Sequence, residues 1–239
     1  MALVIAMNST TDIDRLRNAP AYLLAEAAAY LRLPVATLRS WVAGRTYATS
    51  SGARRFHPLI EPAERDGLRL SFMNLVEGHV LSAIRREHNV SIRNVRKALD
   101  FVQKEFKTPR PLVTTQFETD GVDLFVEKYG RLINASQHGQ VEMKEIIRGF
   151  LKRVQRDAAG VPIKLFPFTR HTPKLDQPQS IEIDPRVSFG RPVLVGSGIR
   201  AEILVERFAA GESPAELAKD YGRTEEEIQE AIRYEKLAA

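Results

Sequence analysis

A proline at position 34 divides a helical pattern into two short helices. Proline disfavours the α conformation in the residue before it and suits the first turn of the helix after it. In the second helix Leu38, Trp41 and Val42 share one face, and Gly44 is a natural stop. In the first helix the apolar residues recur at helical spacing, at Leu24, Ala27, Ala28 and Leu31. Two short helices with a tight break predict a helix-turn-helix, whose second helix enters the DNA major groove.

The charge of this region supports DNA binding. No aspartate or glutamate occurs from residue 27 to residue 60, but five arginines do, namely Arg32, Arg39, Arg45, Arg54 and Arg55. Cations without counter-charges in so short a segment indicate a phosphate-binding surface. The alternative is a small helical hairpin with solvated arginines. The absence of acids favours DNA.

The stretch after Gly44 predicts a β-hairpin wing. Ser50-Ser51-Gly52 has turn composition, and Arg54 and Arg55 lie on the returning arm. We expect Thr37, Arg39 and Ser40 to point outwards from the second helix. The predicted DNA contacts are Arg39, Ser40 and Arg45 toward base edges, Arg54 and Arg55 on the backbone or minor groove, and Thr37 beside them.

Two stretches of this half carry a resemblance. The residues YLLAEAAAYLRLPVATLRSWVAG, followed by RRFH, are similar to the winged helix-turn-helix of MerR-type regulators, in which TLR-x-W marks the second helix. The stretch SFMNLVEGHVLSAIRREHNVSIRNVRKAL resembles the segment after the wing in that group. Its cations could reach flanking phosphates or be the solvated face of amphipathic helices; they are Arg85, Arg86, Arg93, Arg96 and Lys97.

The middle of the chain predicts helices and then a small sheet. A short strand is possible at 3–7, an amphipathic helix covers 70–87, and Ser91 is a candidate N-cap for the next helix. The runs 112–118, 122–127 and 131–135 are β-rich and separated by Asp-Gly and Tyr-Gly, which predicts an antiparallel meander. A helix over 141–155 follows. His79 falls on a core-facing helical position and is interpreted as a packing residue.

The segment 157–180 is predicted to be an extended linker, because it contains four prolines at 162, 167, 173 and 178. The remainder, 181–239, predicts two short strands and three helices over 201–210, 213–221 and 224–234. Ser213 with Glu216 and Thr224 with Glu227 have the spacing of capping boxes. The predicted domains are therefore 1–156, the linker 157–180, and 181–239.

The last domain resembles, nearly end to end, a small domain of bacterial proteins paired with VapC-type toxins. The resemblance rests on FGRPV-x5-GI, then G-x-SP-x-E-x-A-x-x-Y, then E-x-x-Ile-x-x-Ala-x-x-Tyr. It implies a VapB-type antitoxin, which neutralises a VapC-like PIN-domain ribonuclease and represses its own operon. It also suggests that the linker, or an arginine from it such as Arg170 or Arg156, covers the metal-binding carboxylates of the toxin.

Two other interpretations of this domain are weaker. A G-x-G-x-x-A match begins at Gly196, but too few residues follow to complete a dinucleotide-binding fold. A second DNA-binding helix pair is disfavoured, because the sequence from residue 201 onward contains ten acidic residues and only five basic ones. Dimerisation or protein binding suits the domain better, since a palindromic operator requires two-fold symmetry.

Composition narrows the possible functions further. There is no cysteine, and the net charge is +5 with a pI of about 9.5. The five histidines lack metal-ligand spacing, and no nucleophile elbow or Walker loop occurs, so the sequence predicts neither an enzyme nor a metal or cofactor site. No apolar run approaches membrane-spanning length, which predicts a cytoplasmic protein.

The sequence therefore predicts a mainly α protein with small β elements: a MerR-like winged helix-turn-helix module with a β-meander, linked to a small C-terminal helix-turn-helix-like domain. The expected function is that of a homodimeric antitoxin, with a VapC-like toxin and operator DNA as partners. The alternative is a stand-alone MerR-like transcriptional regulator with no toxin. A pure scaffold, the third class, would show no salt-dependent DNA binding.

Overall fold

The computed structural model describes residues 10–49, 52–86, 92–170 and 177–238. Over these residues the chain is mainly α with small antiparallel strand pairs, which confirms the predicted fold class. The possible strand at 3–7, the Ser50-Ser51 turn and the Ser91 cap lie outside the described residues. Within the described ranges, no helix is long and apolar enough to cross a membrane, and no cluster of histidine and carboxylate side chains could hold a metal ion.

Among the described residues every sheet has two strands, and helices make up most of the chain. The helices are α1 (Thr10–Asn18), α2 (Leu24–Leu31), α3 (Val35–Ala43), α4 (Phe72–Arg86), α5 (Ile92–Phe106), α6 (Val122–Ile133), α7 (Gln137–Leu151), α8 (Ala201–Ala209), α9 (Pro214–Tyr221) and α10 (Glu225–Ala238). The strands are β1 (Arg45–Thr49), β2 (Gly52–Phe56), β3 (Val154–Arg156), β4 (Pro162–Leu165), β5 (Ile181–Glu182) and β6 (Val193–Leu194). They pair as β1–β2, β3–β4 and β5–β6, each pair antiparallel.

Helix α4 is the centre of the larger hydrophobic core. Its residues from Phe72 to Ile84 are all buried, and α1, α2 and α7 pack around it. The polar residues on it have hydrogen-bond partners, as burial requires. The Asn74 side chain accepts from the Ser71 and Ala63 amides at 3.1 Å. The Nε2 of His79 lies 3.1 Å from the Phe150 carbonyl oxygen, which confirms a packing role for that histidine.

The predicted β-meander is wrong, because a single helix runs through it. A short 3-10 turn (Pro111–Val113) and a π-helical turn (Phe117–Gly121) lead into α6. The apolar residues of that helix recur at i, i+3, i+4 and i+7, as Val122, Phe125, Val126 and Tyr129, and all are buried. The two glycines that suggested turns are close-packing sites. A Cβ on Gly121 would lie 2.8 Å from the Phe106 ring, and one on Gly130 would lie 2.7 Å from Gln140.

The described part of the proline-rich segment is packed rather than extended. Strands β3 and β4 form a hairpin, and Leu165 and Phe168 enter the larger core. Arg153 is 2% exposed, and its guanidinium donates to the carbonyls of Phe166 at 3.2 Å and Gln177 at 2.7 Å. Burial lowers the pKa of Arg153 to about 10. The predicted domain boundaries remain a prediction.

The C-terminal residues have a second hydrophobic cluster of their own, built on α8, α9 and α10. The three helices and both short strands occur where the sequence predicted them. Both capping boxes form: Ser213 with Glu216, and Thr224 with Glu227, whose amides and side chains bond reciprocally. Strand β6 pairs with β5 and, through Val193, with Arg200, and both pairings are antiparallel, so among the described residues the Gly196 turn does not follow a parallel strand pair.

Candidate nucleic-acid interface

Helix α3 has one anchored face and one exposed face. Leu38, Trp41 and Val42 are at most 1% exposed and pack into the larger core. Arg39 is exposed on the opposite side, next to Val35, which is 41% exposed. The helix is therefore fixed by its apolar face and presents a cation to solvent, as a recognition helix requires.

Two of the predicted contact residues on α3 are less accessible than Arg39. Thr37 is 8% exposed, so the expectation that its side chain points outwards is wrong. It lies one residue before Leu38, on the edge of the buried face. Ser40 is half-buried, and its hydroxyl donates to the Thr37 carbonyl at 2.7 Å. A base contact by Ser40 would have to share or break that intrahelical bond.

The predicted wing is present as the β1–β2 hairpin directly after α3. Gly44, with a φ of 71°, turns the chain out of the helix into β1, a conformation that favours glycine. Arg45 begins β1, and Arg54 and Arg55 lie on β2, paired with Tyr47 and Thr46. The structure thus places all three arginines on the hairpin that follows α3.

The base of the wing is tied to α3 and to α5. The amides of Leu59 and Ile60 both donate to the Trp41 carbonyl, at 2.7 and 3.1 Å. The Arg96 guanidinium, from α5, donates to the carbonyls of His57 and Pro58. Burial lowers the pKa of Arg96, and the nearby Asp100 opposes that effect. Arg96 therefore acts as a structural tie at the wing base, a role that its charge alone did not reveal.

Arg32 belongs to a different contact from the other arginines of the acid-free segment. It ends α2 in the left-handed conformation, with a φ of 54°, and its guanidinium donates to the Tyr234 carbonyl at 3.3 Å. The same guanidinium lies 5.1 Å from the centre of the Tyr234 ring. In return the Tyr234 hydroxyl donates to the Tyr30 carbonyl at 3.3 Å. The C-terminal helices thus dock on the first helix of the pair.

Helix α5, which supplies the Arg96 contact to the wing base, also carries exposed cations. Arg93 and Lys97 are exposed on the same helix that supplies Arg96. The side chains of Arg85 and Arg86 lie outside the described set. The periodicity of the sequence predicted a solvent-exposed face of α5. Only the structure shows that Arg93 and Lys97 are exposed whereas Arg96 contacts the wing base.

A cavity of about 310 Å³ opens between α4, α5 and the Pro111–Val113 turn, against the wing base. Arg96 forms part of its wall, together with Glu77 and Arg110. These last two are bonded to each other, since the Arg110 guanidinium donates to both Glu77 carboxylate oxygens at 3.0 and 2.7 Å. The lining of the pocket thus combines this bonded polar pair with prolines and leucines.

The two arginines suggested for toxin contact are both bonded within the chain. Arg156 has a side chain 9% exposed and donates to Glu118 at 2.9 Å and to the Val113 carbonyl at 2.6 Å. Arg170 is about half exposed and pairs with the buried Glu230 at 2.8 Å. Arg156 is therefore a structural residue.

Comparison with known families covers both ends of the chain. Residues 20–99 match a family described as "Putative DNA-binding HTH domain". This range contains α2, α3, the wing and Arg96. Residues 181–234 match "Protein of unknown function (DUF433)", which spans β5, β6 and the three C-terminal helices.

A named relative and a solved structure both match nearly the whole chain. The chain is 28% identical over 244 aligned positions to "Putative antitoxin VapB45" of Mycobacterium tuberculosis, covering 95% of this chain and 98% of the relative. The crystal structure of Rv2018 from the same organism superposes with a TM-score of 0.63 at 24% identity, covering 90% of this chain and 98% of that one, so the two share a fold. The resemblance to VapB-type antitoxins indicated by the sequence is thus confirmed, as a similarity to one protein of that name over almost the full length of both chains.

Proposed function

We propose that this protein binds operator DNA through α3 and the β1–β2 wing. The observation that carries the proposal is the tie at the Trp41 carbonyl. It holds the wing base against a recognition helix whose exposed face carries Arg39. A rigid helix and hairpin with cations on both can contact a groove and the phosphates beside it.

Each predicted contact residue has a part in this proposal except Thr37. Arg39 reads base edges, with Ser40 and Arg45 beside it, and Arg54 and Arg55 contact phosphates or the minor groove. Thr37 is left out because its side chain is buried.

The second part of the proposal is the antitoxin function. Similarity to a protein named as a VapB antitoxin, over nearly all of both chains, supports neutralisation of a VapC-like ribonuclease and repression of the shared operon. The mechanism is binding rather than turnover. The C-terminal domain would pair two chains, so that two recognition helices meet a palindromic operator.

Operator binding is tested by a mobility-shift assay on the DNA upstream of the gene, across a range of ionic strength. The double variant Arg39→Ala, Arg55→Ala is expected to bind DNA more weakly. The slope of log affinity against log salt concentration should become shallower by about 0.9 for each phosphate contact that is lost. Lys219→Ala, an exposed cation on α9, is the matched control and should leave binding unchanged. Unchanged affinity in the double variant would refute the site.

The antitoxin function is tested by co-expressing this chain with the product of the neighbouring gene. A stable complex with suppressed RNA cleavage is the expected result. DNA binding without any complex would instead favour the stand-alone regulator.

The cavity at the wing base favours that second candidate function. A ligand bound between α4 and α5 would touch Arg96 and so could shift the wing. Thermal-shift screening of small polar compounds would show a raised Tm for the protein if the cavity binds a ligand. If the protein is a regulator of this kind, Glu77→Gln, which removes a charge from the cavity lining, should abolish the rise in Tm that the ligand causes.

A further inference from the structure

Phe189 is the most exposed large apolar side chain among the described residues. It is 94% exposed, whereas the next are Val141 at 52% and Leu23 at 47%. A phenyl ring in water contributes nothing to the stability of the folded chain by burial. Its position on the loop between β5 and β6 therefore needs another explanation.

The backbone under Phe189 is strained and firmly held. Ser188, Phe189 and Gly190 have successive φ values of 48°, 57° and 75°, in the left-handed region. Such a conformation is unfavourable for residues with a side chain and persists only where the surroundings impose it. Here the Gly190 amide donates to the Val187 carbonyl at 2.9 Å, and the Tyr22 hydroxyl donates to the Gly190 carbonyl at 3.1 Å.

The Tyr22 contact also explains the glycine beside Phe189. A Cβ at position 190 would lie 2.1 Å from the Tyr22 hydroxyl oxygen. The loop is thus held against Tyr22, two residues before the start of α2. The phenyl ring is displayed from a rigid base, so ordering the loop adds little entropic cost when a partner binds.

The charges around this loop differ from those of the rest of the C-terminal domain. Both acids of residues 181–200 are buried, with Glu182 and Asp184 side chains 3% and 2% exposed. The three arginines of the same stretch remain about 40% exposed, namely Arg186 at 39%, Arg191 at 41% and Arg200 at 40%. From residue 201 onward acids outnumber bases ten to five. Each guanidinium also has a carboxylate neighbour in the chain: Arg186 pairs with Asp184 at 2.6 Å, Arg191 approaches Glu26 at 3.4 Å, and Arg200 pairs with Glu202 at 2.7 Å. Three partly exposed arginines and one exposed aromatic ring therefore lie in this stretch of an otherwise acidic domain.

We propose that Phe189, with Arg186, Arg191 and Arg200 from the same stretch of chain, forms the surface by which this chain binds its toxin. The proposal rests on the antitoxin function proposed above. The partner surface that fits is an apolar pocket bordered by carboxylates: the pocket receives the ring, and the carboxylates receive the guanidinium groups. Exposed aromatic and arginine side chains are the residue types that carry most interface energy.

A nucleic acid fits this surface less well. Arg191 and Arg200 both approach the half-exposed Glu202, at 3.9 and 2.7 Å. That carboxylate would repel a phosphate backbone placed against the two arginines. The carboxylates of a partner protein can be positioned to avoid Glu202, whereas the phosphates of a nucleic acid are evenly spaced and cannot.

The test compares Phe189→Ala with Val141→Ala, an exposed apolar residue on α7, in the full-length chain. We expect Phe189→Ala to weaken binding to the purified toxin about 30-fold, as at an interface hot spot. Its Tm and operator affinity should stay unchanged, and Val141→Ala should behave as the wild type. Arg186→Gln with Arg200→Gln should slow association and reduce its salt dependence.

A photo-crosslinker in place of Phe189 gives an independent measurement. In the purified complex it should crosslink to the toxin, while the same group at Val141 should not. If the wild type binds the toxin and Phe189→Ala binds it equally well, the proposed surface is refuted but the antitoxin function is not. Absence of wild-type binding would refute both. Loss of operator binding, or of dimers, in Phe189→Ala would assign the surface to DNA or to a second copy and overturn the proposal.

Discussion

Arg96 gives the sharpest test of how the wing is held. The change is Arg96→Met, which keeps an apolar stem of similar reach and removes the guanidinium. Two hydrogen bonds, to the carbonyls of His57 and Pro58, are then lost. Charge-assisted bonds of this kind contribute about 1.5–3 kcal/mol each when buried.

The magnitude is smaller here because the Arg96 side chain is 25% exposed and water can replace part of the lost bonding. We take about 1 kcal/mol per bond, hence about 2 kcal/mol for the wing base. If all of this free energy is needed to order the wing for DNA, the affinity falls by at most about 30-fold. The slope of log affinity against log salt should not change, because Arg96 contacts carbonyl groups and not phosphates.

The assay is operator binding at several salt concentrations, with Lys97→Met as the matched control. Lys97 is the next residue on α5 and is exposed, so its replacement removes the same charge without touching the wing base. We expect the control to lower affinity only slightly. A reduced salt slope in Arg96→Met, or an unchanged affinity, would refute the assigned role.

Three further predictions concern stability. Gly121→Ala should lower the free energy of unfolding in urea by about 1 kcal/mol, since the new Cβ would lie 2.7 Å from the Phe117 ring. Gly139→Ala, where only the Ser136 hydroxyl lies near at 3.4 Å, should be neutral or stabilising. Arg153→Met should lower Tm by several degrees and increase proteolysis near residue 170, because its bonds hold that segment to the core; an unchanged Tm would contradict this.

A further prediction concerns pH. Burial alone would raise the pKa of Glu230, but hydrogen bonds from Arg170 and Thr169 outweigh it and leave the pKa below its ordinary value. A lowered pKa stabilises the fold above the ordinary value, and the stabilisation is lost as the pH falls through the folded-state value. The wild-type Tm should therefore drop on acidification more than that of Glu230→Gln, and parallel curves would contradict the assignment.

Local patterns in the sequence were enough for the helix-turn-helix. The proline at 34, the stop at Gly44 and the apolar face of Trp41 act within a few residues, so no distant contact was needed to place α2, α3 and the hairpin. The same holds for the C-terminal helices, whose capping boxes bond residues only three apart.

The meander failed because the glycines at 121 and 130 have two physical meanings. In the sequence each follows a turn-forming or aromatic residue and suggests a reversal. In the structure each allows another side chain to approach a helix closely, and that depends on Phe106 and Gln140 from other elements. The sequence signal for α6 is the i, i+3, i+4 spacing of the apolar residues that begins at Val122, which is typical of a helix.

By itself the sequence determined the helical pairs, the wing and the cationic segment, because backbone propensity, caps and charge are encoded locally. Only the tertiary structure decided which cations remain available. Arg32 contacts Tyr234, Arg96 ties the wing base, Arg156 is buried, and Arg39 stays exposed. These differences arise from contacts between residues far apart in the chain, which a one-dimensional pattern of charge does not contain.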